Sequence, residues 1–129
     1  MLLTLAEANQ IIRAAIAKAE ALNCKISVGV CDAGGRLMAF NRMDEAAWSS
    51  CITAQGKAAL SAAYGKPSGE LDASRPTVQS VIAASGGIMI ASQGGVPIRR
   101  GGLVEGGCGV GGGHTDQDEQ CAQAGVDSL

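Results

Sequence analysis

The sequence predicts an α+β fold, an antiparallel sheet flanked by helices, and three observations carry the prediction. Helical periodicity fills Leu5 to Leu22, Trp48 to Tyr64 and the stretch leading to Val126. Short alternating or β-rich runs fill the segments between them, and tight glycine turns join several of those runs, which makes neighbouring strands antiparallel. At 129 residues the chain has the size of one domain, and a single domain over residues 1–129 is expected.

Thr4-Leu5-Ala6-Glu7 has the spacing of a capping box, in which the hydroxyl accepts from the third helical N–H and the glutamate reaches back to the cap. Leu5, Ala8, Ile12, Ala15, Ile16, Ala19 and Leu22 then recur at helical steps, and Asn23 is suited to a left-handed stop. Ile26, Val28 and Val30 alternate with Ser27, Gly29 and Cys31, as in a half-buried strand. Asp32-Ala33-Gly34-Gly35 turns the chain into a second strand, Arg36 to Met43, closing a β-hairpin.

The helix from Trp48 to Tyr64 carries a stripe of small residues, Cys51, Ala54, Ala58, Ser61 and Ala62, so its backbone comes close to whatever it packs on, the sheet or a partner chain. Lys57 is expected on a flank with Leu60 and Tyr64. Lys66-Pro67-Ser68-Gly69 breaks this helix, and Ser74-Arg75-Pro76 opens a short one through Val78, Val81 and Ile82 that Gly86-Gly87 ends. Ile88-Met89-Ile90 reads as a short strand, Val96 to Arg99 as an edge or bulged strand because of Pro97, and Leu103 to Val110 as the strand that completes the sheet. Thr115-Asp116-Gln117-Asp118 is a second capping-type sequence, with Asp116 and Asp118 as first-turn acids that complement the dipole of a final helix.

Apolar residues make up 47% of the chain and charged ones 17%, the balance of a folded protein. Ten basic residues stand against twelve acidic, no cationic run exceeds Arg99-Arg100, and Phe40, Trp48 and Tyr64 are the only aromatics, which argues against nucleic acid as a partner. The N-terminus has no basic leader and no apolar run is long enough to cross a membrane, so a cytoplasmic protein without a membrane partner is expected. Five scattered cysteines, an odd number, fit reduced thiols rather than a disulfide framework.

The segment GGLVEGGCGVGGGHTDQDEQC, Gly101 to Cys121, formally contains G-x-G-x-x-G at Gly107 to Gly112. A dinucleotide fingerprint needs a parallel βαβ unit with an acidic residue about twenty positions further on, and nucleotide binding is not expected from this match. Two readings of the glycines stay open. They permit a bulged strand, left-handed dihedrals and close packing of the last helix. Alternatively, the N–H groups of Gly112, Gly113 and His114 at a helix start receive a carboxylate or another anion. Cys108, His114, Asp116, Asp118 and Cys121 lack zinc-site spacing, and no metal site is assigned. His114, the only histidine, is the one ready acid–base group near neutral pH and an imidazole donor for an axial position. Lys57 is either a stem buried along apolar surface or a cation lining a pocket.

Several segments together resemble the GlcG/HbpS family, which is labelled haem-degrading or haem-binding and is similar to the C-terminal domain of PduO-type corrinoid adenosyltransferases. They are LTLAEA at Leu3 to Ala8, VxVCDAGGRLMAFxRMD at Val28 to Asp44, AxxKAAxSAAYGKP at Ala54 to Pro67, GGVPI at Gly94 to Ile98 and GxGVGGGxxxQDE at Gly107 to Glu119. The resemblance implies a five-stranded antiparallel sheet with helices on both faces in a profilin- or PAS-like three-layer architecture, association into dimers or larger homo-oligomers, and haem or a corrinoid as ligand. Members occur beside glycolate oxidation or diol and glycerol utilisation. The chain departs from the family where members read S-G-G-T-P: here Gly111-Gly112-Gly113-His114-Thr115 stands, and no histidine lies in the first helix.

The expected function is that of an oligomeric accessory protein binding haem, a corrinoid or a small hydroxy-acid between the Lys57 helix and the glycine loop. Lys57 and the backbone of Gly112, Gly113, His114 and Thr115 would neutralise a carboxylate, and Met38 and Met43 would supply a soft apolar wall. The alternatives are an enzyme acting on a small metabolite with His114 as general acid or base, and a structural oligomer without a site.

Overall fold

The computed structural model describes residues 2–129. Helix α1, Leu5–Ala21, starts at the expected capping box: Glu7 N–H donates to Thr4 Oγ1 at 3.1 Å and Thr4 N–H to Glu7 Oε1 at 2.9 Å. Its buried stripe is Ala8, Ile11, Ile12, Ala15 and Ala19, whereas Leu5 is exposed, so the inner face is turned toward Ile11 from the one the sequence predicts. Asn23 adopts the left-handed stop, with φ of 56°.

Strands β1, Ser27–Asp32, and β2, Leu37–Arg42, form the predicted hairpin. Asp32 Oδ1 accepts from the N–H groups of Gly34 and Arg36, which holds the turn closed. After α2, Ser49–Tyr64, and α3, Pro76–Ala84, come β3, Gly95–Arg100, and β4, Leu103–Gly111, and the chain closes with α4, Thr115–Asp127. Pro97 lies on β3, an edge strand whose register with β4 shifts between Ile98 and Arg99.

The sheet has four strands in the order β2-β1-β4-β3, all antiparallel, not the five expected. The missing strand is Ile88-Met89-Ile90. Instead of pairing in the sheet, this segment crosses the outer side of α2, where Ile90 N–H donates to the Gly56 carbonyl at 3.1 Å and Met89 is buried with Ala59 and Leu60. A short apolar run can be buried on a helix as well as in a sheet, and its pattern does not distinguish the two.

Helices α1 and α4 cover one face of the sheet, where Ile11, Ile12, Val28, Val30, Ile98, Cys108 and Val110 form the main core. On the other face lies α2, and beneath it the centre of the sheet is a strip of glycines. Gly29, Gly109 and Gly95 stand side by side on three adjacent strands, and Gly107 and Gly111 flank Gly109 on β4. A Cβ at Gly109 would fall 2.0 Å from the Ala54 carbonyl oxygen, and one at Gly107 2.1 Å from that of Ala58. The glycines therefore admit α2, not the last helix as expected, and the Ala54, Ala58 and Ser61 stripe faces the sheet rather than a partner chain. At the far end of β3, Arg100 pairs with Glu7 of α1 and Glu105 of β4, and it holds the Glu7 carboxyl down to about 2. Among the described residues no helix is long and apolar enough to cross a membrane.

Replacing Gly109 by Ala, in urea denaturation, is expected to lower stability by roughly 3 kcal/mol, the upper range of overpacking, because backbone rather than a flexible side chain must yield. A loss below about 0.5 kcal/mol, the scale of an indifferent surface change, would mean that α2 does not sit so close.

Candidate functional site

Lys57 is not on an open flank. It is buried at 3% exposure, and its side chain runs past Gly94, where an added Cβ would lie 2.7 Å from Nζ. The ammonium donates to the Val110 carbonyl at 3.0 Å and to Asp118 Oδ2 at 3.3 Å, so a lysine of α2 reaches a carboxylate of α4 on the other side of the sheet. Asp118 Oδ1 in turn accepts from Gly113 N–H at 2.9 Å. Burial pushes the Asp118 carboxyl up, while the Lys57 charge and the Gly113 N–H pull against it. Asp118 is thus a buried partner rather than a solvent-facing acid at the helix start.

The carboxylate expected from outside is supplied by the chain itself. Gly113 N–H is taken by Asp118, and His114 N–H donates to Gln117 Oε1 at 3.1 Å, so these donors of the loop are already used. The cap of α4 is His114, one position earlier than the predicted Thr115, and Gln117 closes it rather than Asp118. Gly112, His114 and Thr115 are exposed. Met38 and Met43 are half-buried on and just after β2, packed against the α1 side of the core, and Met43 Sδ accepts from Ile26 N–H at 3.4 Å. They lie by the edge strand opposite β3, so the structure joins Lys57 to Gly113 through Asp118 and leaves both methionines apart from that group.

A different concavity is built where the hairpin turn, α2 and the segment after α3 meet. This cleft has a volume of about 580 Å³, within the ~300–1,000 Å³ of small-molecule sites. Its floor is Cys31, its walls are Gly35, Gln55, Gly56 and Ala59, and Leu37, Ile52 and Ile88 stand at its mouth with Arg36. Gly56 creates it: a Cβ there would strike Ile88 O and Ile90 Cγ1 at 2.6 Å, and without one the 88–90 segment settles on the helix. Leu37, Ile52 and Ile88 are 49%, 56% and 61% exposed, a group of large apolar side chains that the fold does not itself cover. Burial pushes the Cys31 thiol up to about 11, leaving a neutral sulfur at the base.

Sequence reasoning misses this site. Ile52 is the one available signal, a large apolar residue off the small stripe of its helix, whereas Ile88 is absorbed into an expected strand and Leu37 into the hairpin. Among the described residues no group of three or more His, Cys, Asp or Glu is placed to hold a metal ion.

Known proteins share both the sequence pattern and this arrangement of elements. The model of the family described as haem degrading protein HbpS-like matches residues 3–127. The chain belongs to this family. It is 30% identical to the corrinoid adenosyltransferase PduO of Citrobacter freundii over 100% of its own length and 39% of that protein's. The structure of a PduOC–haem complex superposes with a TM-score of 0.89 at 28% identity, covering 100% of this chain and 96% of the other. HbpS of Streptomyces reticuli, solved as a double mutant, superposes at 0.88 with 33% identity over 100% and 88% of the two chains. The HbpS-like family thus carries this α+β arrangement of an antiparallel sheet between helices.

Substituting Lys57 by Met is expected to destabilise the fold by about 3–5 kcal/mol, because Asp118 is left buried without its cation. Adding Asp118→Asn to Lys57→Met should recover part of that loss in the same chemical denaturation. A single variant as stable as the parent would show that the pair is not closed in solution.

Proposed function

We propose that this chain is an oligomeric small-ligand-binding accessory protein of the cytoplasm, linked to glycolate or diol and glycerol metabolism. Haem is the first candidate ligand, with a corrinoid or a small hydroxy-acid as alternatives. The observation that carries the reading is the cleft of about 580 Å³ beside α2, apolar at its mouth and uncovered, in a chain of the HbpS-like family. The PduOC–haem complex, alike over the full chain, supports haem as the first choice.

Leu37, Ile52 and Ile88 would hold the apolar body of such a ligand. Haem supplies a redox-active iron when bound, and Cys31 is the sulfur that the chain offers in the cleft. His114 follows Gly111, which pairs with Ser27, whereas the cleft lies beyond Cys31 at the other end of β1. That separation is about 13 Å along the strand, so His114 would stand away from a ligand held at Cys31 in the cleft of its own chain. Self-association is proposed on a surface other than the small-residue stripe of α2, which the sheet occupies.

A second reading keeps His114 as general acid or base for a small metabolite, favoured by its exposure at the start of α4. Hemin titration followed in the Soret band separates the two. The parent and His114→Ala should bind alike, and Ile52→Glu should bind at least about tenfold more weakly, since a charge replaces apolar contact. Binding lost in His114→Ala and kept in Ile52→Glu would move the site to the α4 turn. No response of the parent to hemin, cobalamin or glycolate would end the ligand-binding reading.

A further inference from the structure

The cleft is apolar with one charged exception. Arg36 is the only residue with a formal charge among its lining, and it makes no ion pair among the described residues. Its position is built by the turn: Asp32 Oδ1 is engaged by the N–H groups of Gly34 and Arg36, and Gly35 holds φ of 80°. The guanidinium folds back over the glycines, with Nη1 2.8 Å from where a Gly34 Cβ would stand. Gly34 and Gly35 also line a smaller concavity of about 300 Å³, which shares Gly35, Ala59 and Ile88 with the cleft. The cation therefore stands exposed at the rim of the cleft, beside its apolar walls and next to the smaller concavity.

From this placement we infer that Arg36 is a specificity-determining residue, and that the cleft takes an apolar body carrying a carboxylate, which the guanidinium receives at the rim. The inference rests on the reading that the cleft is the ligand site, and it names the class of ligand. A guanidinium presents paired donors matched to a carboxylate, which an ammonium does not. A neutral ester of the same body keeps the apolar contact and loses the ion pair.

Protoporphyrin IX and its dimethyl ester form the test pair, because without iron neither gains from a metal–sulfur bond. Trp48, the single tryptophan, stands one helical turn before Ile52 and reports binding through its fluorescence. The parent should prefer the diacid by about fivefold, the scale of a partly exposed ion pair. Arg36→Gln should weaken the diacid alone and erase the preference, and Arg36→Lys should restore part of it. Circular dichroism checks that each variant is folded. An unchanged preference in Arg36→Gln, or an equal loss for acid and ester, would overturn the inference while leaving the cleft as the site. Undiminished binding of both porphyrins by Ile52→Glu would overturn the cleft itself, and the inference with it.

Discussion

The backbone of α2 rests on a strip of sheet that has no side chains, and the other features of the molecule are arranged around that contact. Gly29, Gly109 and Gly95 cross the sheet on three neighbouring strands, and the carbonyls of Ala54, Ala58 and Lys57 occupy the space where Cβ atoms of Gly109, Gly107 and Gly95 would be. Backbone against backbone allows little adjustment, since protein interiors are close-packed and such contacts do not yield by rotamer change. The alanine and serine stripe of α2 follows from this proximity. So does the division of the core, with most of the large buried apolar side chains on the α1 and α4 side.

That proximity also explains Lys57. A helix so close to the sheet leaves no room for a long side chain between the layers, and the lysine leaves past Gly94 at the end of the β3–β4 pair. Its ammonium meets Val110 and Asp118, and Asp118 takes Gly113 N–H, so one buried pair fixes α2, β4 and the start of α4 together. Buried pairs of this kind contribute less net stability than their geometry suggests, because both ions lose their water. Here the pair ties the first turn of α4 to α2 across the sheet. It also uses the cation and the donor that an external anion at the glycine loop would need, and the opposite side of α2, opened by Gly56 under the 88–90 segment, is left to form the cleft.

Much of the fold is legible in the sequence. The Thr4–Glu7 box, the Asn23 stop, the hairpin at Asp32 to Gly35 and the edge strand around Pro97 each rest on local chemistry, and local chemistry is what a sequence states directly. The Ile88–Ile90 segment reads wrongly as a strand because its destination depends on Gly56, more than thirty residues earlier and without a side chain to signal it. Lys57 reads as a flank residue for a related reason: its partner is Asp118, which its position alone presents as an ordinary first-turn acid. The candidate site is the least legible part, since the cleft joins Leu37, Ile52 and Ile88 from three parts of the chain and has no motif of its own.

Family membership and the HbpS-like fold favour the recognition of a ligand, and the geometry moves the proposed site from the glycine loop to the outer side of α2. The most direct test is residue-resolved amide NMR of the parent chain titrated with protoporphyrin IX. The account predicts that the shifts move at Gly35, Leu37, Ile52, Gln55 and Ile88 while Gly112, Gly113, His114 and Thr115 stay in place. Shifts confined to the Gly112 to Thr115 turn would contradict it.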